Sequence, residues 1–215
     1  MYLQNKWDIL ILTDPGRRKL LEQLIPELLR QKQEYLDGAA IGLRIRTYDP
    51  SLTLGENRNQ QRNDSNATYI SYFDDDDWPS PDFISRISPK LGGVDYVGFR
   101  VQVYAAHQGY REYCEMKRWG PPSPNFYSGM SHLNPIRRDL AMQAEFDAGQ
   151  GEDFRWSSRM WSLGIIKTEC VIDEVMYHYL WRAAKDDAHE SEHPKRLALI
   201  RRISERNACG AFEIP

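Results

Sequence analysis

The sequence predicts an α/β protein, a single domain in which helices flank a mixed sheet. Three observations predict it. Strand and helix periodicities alternate through the first third of the chain. No internal repeat or low-complexity linker divides its 215 residues, a length that buries a core without staples. An aromatic and β-branched stretch, "YISYF", runs directly into four aspartates, Asp74 to Asp77.

The elements follow in order. "WDILILT" (7–13) has the continuous apolar character of a buried strand. "RRKLLEQLIPELLRQKQ" has helical spacing, and Pro26, which lacks an N–H, is expected to bend or interrupt that helix. "IGLRIRTYD" alternates as a half-buried strand does. A second helix over 54–66 and the strand "YISYF" (69–73) complete a βαβ opening of the nucleotide-binding kind. "VDYVGFRVQVYAA" and "GYREYCEMKRW" are two strands joined by a turn at Gln108 and Gly109, and "GPPSPN" is a rigid loop. "HLNPIRRDLAMQAEF" is expected to be a helix entered through Asn134 as cap and Pro135 at the first helical position. "GQGEDFRWSSRMWSLG" is a glycine-rich loop opening a helix with Glu152 and Asp153 in its first turn. Strands over "IIKTECVIDEVMYHYLW" and a basic amphipathic helix, "PKRLALIRRISERN", close the chain.

A formal charge of −3 gives no global pull towards nucleic acid or anionic membrane, although a local basic patch is compatible with it. Cys114, Cys170 and Cys209 are odd in number and lack metal-ligand spacing, which fits reduced thiols in a cytoplasm and implies no zinc site. The apolar run in "MYLQNKWDILILTD" is too short for a signal or membrane segment. The expectation is a cytoplasmic protein with no membrane partner.

The acidic run carries the chemistry. Two unit charges 4 Å apart repel by about 4 kcal/mol at an effective dielectric near 20, so four carboxylates at a strand end call for a divalent cation or a strongly positive neighbourhood. An oxygen-only donor set suits Mg²⁺ or Mn²⁺. In open α/β sheets the ligand crevice lies outside the carboxyl ends of the strands, where this run falls. Side chains alternate along extended chain, so Asp74 and Asp76 share one direction and Asp75 and Asp77 the other. The competing reading is a solvated acidic turn.

The order "LTDPGR", "GENRN", "ATYISYFDDDDW", "HLNPIRRDLA" and "GEDFRWSSRMWSLG", spread over residues 7–181, resembles the glycosyltransferase A fold, a Rossmann-like mixed sheet, and particularly its family-two inverting enzymes. The resemblance implies one glycosyltransferase domain: residues 1–80 as the nucleotide-sugar half, 81–181 as the acceptor and catalytic half, and 182–215 as a basic C-terminal helix. It implies a UDP-sugar donor and a Mn²⁺ or Mg²⁺ cofactor. Asp74 is assigned to the sugar or ribose, Asp76 to the metal and Asp77 to an auxiliary ligand position, with a late histidine, His178, completing the metal site. Asp153 takes the place of the base that deprotonates the acceptor hydroxyl. Thr13, Asp14 and Arg17 border the nucleotide; Asp75 and Glu152 are counted with the donor-binding residues; Arg58 and Asn59 reach the diphosphate; His132 and Asn134 line the acceptor or donor-sugar pocket. Family members often carry Thr-Tyr-Asn after the first strand and paired aspartates after the second. This chain has "TDPGRR" and "TYDPS", which leaves Asp49 as the lone acid for base or ribose.

Each assignment has a structural competitor. Asp14 and Asp49 are also turn or cap residues, Glu152 and Asp153 also complement a helix dipole, Asn134 is also a cap, His178 is also a packed core histidine, and Arg58 and Asn59 also suit a solvated helix face. Two acceptors stay open. Arg100, Tyr104, His107, Tyr110, Arg111, Lys117, Arg118 and Trp119 interleave basic and aromatic side chains that stack bases and track phosphates. That pattern, with "PKRLALIRR", fits phage-type enzymes that glycosylate hydroxymethylated pyrimidines in DNA, acting in the host cytoplasm; the same rings stack on a saccharide. The rival functions are a nucleotidyltransferase, from "PGRRKLL", and a non-catalytic nucleotide- or nucleic-acid-binding module.

Overall fold

The computed structural model describes residues 6–105, 111–121, 129–181 and 194–205. The chain opens with β1 (Trp7–Thr13), α1 (Arg18–Glu34), β2 (Ile41–Thr47), α2 (Leu54–Asp64) and β3 (Tyr69–Asp74). β1 pairs in parallel with both β2 and β3, in a register that sets Thr13 beside Thr47 and Leu12 beside Asp74. That register brings the carboxyl ends of the three strands to one edge.

The apolar run of β1 is buried on both faces, as its lack of alternation predicts. Trp7, Ile9 and Ile11 pack with Leu24 and Leu28 of α1, and with Tyr69 and Phe73 of β3. Leu10 turns the other way, with Ile70 and Tyr72. Each such aliphatic side chain taken fully out of water contributes about 1.5–3 kcal/mol. α1 runs unbroken through Pro26, which the sequence marked as a bend or break. The helix is held through its buried stripe of Leu20, Leu24, Leu28 and Gln31. Gln31 donates to the Ser80 carbonyl (2.8 Å) and accepts from the Ile84 N–H (3.1 Å).

Beyond β3 come β4 (Trp78–Pro79), α3 (Phe83–Ile87), β5 (Tyr96–Ala105), β6 (Arg111–Lys117), β7 (Ile136–Arg137), α4 (Arg138–Ala141), α5 (Glu152–Leu163), β8 (Glu169–Trp181) and α6 (Pro194–Glu205). Among the described residues the sheet has the order β2-β1-β3-β7-β5-β8-β4, with β6 paired to β5. β5 and β8 are parallel, whereas β7 is antiparallel to both β3 and β5. The mixed sheet flanked by helices is therefore present. The turn expected at Gln108 and Gly109, and most of "GPPSPN", lie outside the described residues.

One element differs from the sequence reading. Residues 132–146 do not form a helix capped by Asn134; β7 intervenes, and the helix that follows is the four-residue α4. Asn134 is buried, and its Nδ2 donates to the Val97 carbonyl at 3.0 Å. The side chain that suits a helix cap instead satisfies the sheet. α6 is amphipathic as expected: Ile203 is buried with Trp78, Tyr104 and Leu180. Among the described residues no helix is long and apolar enough to cross a membrane. Cys114 and Cys170 are free, and Cys209 lies outside the described residues.

Candidate active site

The four aspartates close β3 in a turn, with the Asp77 N–H donating to the Asp74 carbonyl at 3.2 Å. Their side chains separate by parity. Those of Asp74 and Asp76 are 32% and 20% exposed, whereas those of Asp75 and Asp77 turn inward at about 1% each. Asp75 accepts from Thr13 Oγ1 (2.7 Å) and from Arg17 Nη1 (3.1 Å). Asp77 accepts from Tyr177 Oη (2.5 Å) and from the Leu180 N–H (2.7 Å). Tyr177 also receives the Asp74 N–H at 3.3 Å, so one phenol from β8 ties both ends of the turn.

The positive neighbourhood that such a run needs is present. Arg17 Nη1 lies 3.7 Å from Asp76 Oδ2. Arg196 of α6 donates to the Asp76 carbonyl at 2.5 Å. Arg58 Nη2 lies 3.3 Å from Asp74 Oδ1, and Arg58 Nη1 meets Glu152 Oε1 in a short contact. Even so, burial lifts the Asp74 carboxyl to about 6, against the pull of Arg58 and with the push of Asp76 and Asp75. Burial, then Asp76 and Asp74, hold Asp77 well above the usual carboxylate range.

Arg58 is positioned by α2. The helix starts in a capping box between Thr53 and Glu56. Asn57 pins the preceding turn by donating to the carbonyls of Asp49 and Thr53, both at 3.0 Å. Gly55 allows close approach to the segment before α5: a Cβ there would stand 2.2 Å from the Asp147 carbonyl oxygen. Arg58 consequently points inward, 5.8 Å from the Tyr72 ring centre and 5.7 Å from that of Phe146. The solvated helix face does not describe it: its guanidinium is buried and meets two carboxylates. Asn59 likewise exchanges two hydrogen bonds with the Phe146 backbone, at 2.7 and 3.0 Å.

The second acidic pair opens α5 as expected. Gly151 adopts φ +74° at its N-cap, a conformation that favours glycine. Arg155 folds back on the loop, donating to Asp147 and to the carbonyls of Ala148, Gly149 and Gln150. Glu152 is buried against Arg58, while the Asp153 side chain stays 46% exposed. Asp153 Oδ1 accepts from the Phe154 N–H at 2.8 Å. Burial pushes its carboxyl up, but opposing interactions, Arg58 among them, bring it below the usual range. His132 is 5% exposed and packs near Tyr72 and Phe146. Its Nδ1 is 3.9 Å from Asp153 Oδ2, and among the described residues neither ring nitrogen has a hydrogen-bond partner. Burial, reinforced by Arg58, lowers this imidazole to about 3, so it is neutral at pH 7.

The remaining candidates divide. Thr13 and Arg17 reach the acidic turn through Asp75. Asp14 caps a short 3-10 turn over Pro15–Arg17 through the Gly16 N–H (2.7 Å). Asp49 holds the Ser51 N–H (2.9 Å) and hydroxyl (2.7 Å) in a local turn at the end of β2. His178 is buried, its Nδ1 3.2 Å from Tyr104 Oη, with the two rings stacked at 23°. It alternates along β8 with Tyr177, the residue that contacts Asp77. Among the described residues no three His, Cys, Asp or Glu side chains group to hold a metal ion. Sequence reasoning missed Tyr177, Asn57 and Arg196; nothing in "MYHYLW" or "PKRLALIRR" distinguishes the tyrosine or arginine that reaches the turn from its neighbours.

The fold that carries this site is of the glycosyltransferase A type. Its solved counterparts include residues 1–349 of S. aureus TarS. The complex of TarS 1–349 with UDP matches with a TM-score of 0.55 and 13% identity, over 92% of this chain and 64% of that one. The UDP-GlcNAc complex matches with 0.51 and 14%, over 92% and 66% respectively. TarS 1–349 alone matches with 0.51 and 14%, over 81% and 60%. This chain thus spans less than two thirds of the length of each. No protein-family model and no curated protein matches the sequence.

Proposed function

We propose that the protein is a glycosyltransferase that moves a sugar from a UDP-sugar to an acceptor hydroxyl with inversion at the anomeric carbon. The observation that carries this reading is the convergence of the two acidic motifs on Arg58. Asp74 at the end of β3 and Glu152 beside Asp153 at the start of α5 meet across one guanidinium. The bound nucleotides named for the S. aureus TarS structures, UDP and UDP-GlcNAc, support the choice of donor.

Asp153 is the open carboxylate on the second motif, and one base acting on an attacking hydroxyl implies a single displacement and hence inversion. Thr13 and Arg17 border the nucleotide, and Arg17 and Arg196 bring guanidinium groups to the place where a diphosphate gathers charge. The carboxylates of Asp74 and Asp76 fit Mg²⁺ or Mn²⁺ as an oxygen-only set of one or two protein ligands, with phosphate oxygens supplying others. When bound, such an ion offsets the charge on the departing diphosphate. Asp77 and Arg58 are positioning residues in this reading: the first locks the turn to β8, the second holds Asp74 to α5.

A saccharide hydroxyl suits the acceptor side better than DNA. Three of the basic residues on or beside β5 and β6 have nearby acidic partners: Arg100 with Asp173 (2.6 Å), Lys117 with Glu115 (2.5 Å) and Arg118 with Glu169 (3.7 Å). Tyr104 is buried, and His107 and Tyr110 lie outside the described residues. Charges already paired track phosphate poorly.

Thermal unfolding against UDP and a panel of UDP-sugars, with and without Mn²⁺, tests the proposal. A ligand at a hundred times its dissociation constant stabilises by about 2.7 kcal/mol, a rise of about 5–10 °C for a chain of this size. UDP release from the same sugar completes the test. No shift with any UDP-sugar, metal present, overturns the reading in favour of a non-catalytic module. Pyrophosphate as the product would mark a nucleotidyltransferase instead.

A further inference from the structure

His132 has unspent hydrogen-bonding capacity at this site. A neutral imidazole carries one N–H donor and one acceptor nitrogen, and leaving either unsatisfied in a buried position costs about 1–3 kcal/mol. Here both lack a partner among the described residues, although the ring is 5% exposed. The gap of 3.9 Å between Nδ1 and Asp153 Oδ2 is too long for a hydrogen bond. It is the span of two groups that share one oxygen: an atom at about 2.8 Å from each, an ordinary hydrogen-bond length, subtends about 90° between them. A carboxylate only accepts, so a hydroxyl in that place, with its single proton, donates to Asp153 and accepts from the imidazole. With a hydroxyl seated there, the ring proton is on Nδ1.

We propose that His132 Nδ1–H and Asp153 Oδ2 together form the seat of the acceptor hydroxyl. Asp153 takes the proton, and His132 fills one lone pair of the oxygen so that the other faces the anomeric carbon. The bond that forms is oxygen to anomeric carbon, the bond that breaks is anomeric carbon to diphosphate oxygen, and the hydroxyl proton ends on Asp153. Burial, helped by the fields of Arg58 and Lys117 against that of Asp153, keeps the ring neutral and hence a donor with one proton. This inference rests on the reading of Asp153 as the base.

The test compares His132→Ala, His132→Asn and His132→Gln, each first shown to melt as the wild type does. The asparagine amide nitrogen sits near the position of Nδ1, the glutamine amide nitrogen near that of Nε2. UDP release from UDP-GlcNAc and other UDP-sugars, with water as acceptor, should fall about 10- to 100-fold in the alanine and glutamine variants, the loss of one hydrogen bond at the reacting atom. The asparagine variant should stay within about threefold of the wild type, with the donor KM unchanged in all three. An asparagine variant as slow as alanine, or a change confined to donor KM, overturns the proposal. Nitrogen-15 NMR of the histidine side chains gives a readout independent of turnover. A neutral Nδ1–H ring at His132 that responds to Asp153→Asn sustains the shared seat, and an Nε2–H ring refutes it. Should the wild type release no UDP from any UDP-sugar, the transferase reading fails, and the tautomer alone decides whether the two side chains form a paired site.

Discussion

Arg58 and Glu152, 94 residues apart in sequence, form a buried ion pair that joins α2 to the start of α5. Through the same guanidinium, Asp74 at the end of β3 is held to that helix. The two acidic motifs therefore share one rigid connection, so a change at either one is transmitted to the geometry of the other.

Arg58→Met should destabilise the protein by about 3–5 kcal/mol, because it leaves Glu152 buried without a cation. The expected readout is a lower urea midpoint with the slope m unchanged. Arg58→Met combined with Glu152→Leu should recover more than half of the loss, since no unpaired charge remains in the interior. A double variant as unstable as the single one would show that packing, rather than charge, sets the cost.

Asp153→Asn should lower UDP release about 10²- to 10⁴-fold, the range for removing a general base, while the melting shift with donor is kept. Its side chain is half exposed and accepts from the N–H of the neighbouring Phe154, so little stability is at stake. Loss of the donor-induced shift in this variant would move Asp153 from proton transfer to donor binding.

Asp76→Asn should abolish any difference between donor binding with and without Mn²⁺, and chelation of the wild type should have the same effect. Asp77→Asn should instead lower the melting temperature in the absence of ligand, because Tyr177 and Leu180 both donate to its carboxylate. Calorimetric titration with Mn²⁺ and UDP separates the two: equal loss of metal response in both variants would make Asp77 a ligand.

Asp95 links the start of β5 to two other segments. It accepts from the Lys167 N–H (2.8 Å), the Thr168 N–H (3.0 Å) and Arg137 Nη1 (3.1 Å). Burial pushes its carboxyl up, but the amides of Lys167 and Thr168 and the Arg137 guanidinium outweigh this and hold it below the usual range. A depressed folded pKa contributes stability that is present above the unfolded value near 3.9 and is lost as pH falls through the folded value. Asp95→Asn should therefore cost about 1–3 kcal/mol at pH 7, and the gap to wild type should narrow below about pH 4. Urea unfolding at pH 7 and pH 3 measures it; a gap independent of pH would show that the aspartate charge is not the cause.

Most of the strands and long helices were legible because their signals are local. "WDILILT" needs both faces buried, and Gly151 before "ED" opens a helix without reference to distant residues. The helix expected over "HLNPIRRDLAMQAEF" failed because Asn134 satisfies carbonyls of the sheet, partners that no local pattern reveals. Pro26 failed as a break because the buried stripe of α1 continues on both sides of it and packs against β1 and α3.

The α/β class, the acidic turn at the end of a strand and the acidic pair at the start of a helix were all written in local patterns of residues. Each of these follows from periodicity, alternation or capping over a few residues. Tertiary structure alone decided which carboxylates are reachable: Asp74, Asp76 and Asp153 open, Asp75, Asp77 and Glu152 held by Thr13, Tyr177 and Arg58. It also turned Arg58 inward and placed His132 beside Asp153, with no hydrogen-bond partner among the described residues. The physical reason is that the cost of burying a charge or a polar ring is settled by partners that come from 60 to 100 residues away, and chain closure over that distance leaves no trace in a local window.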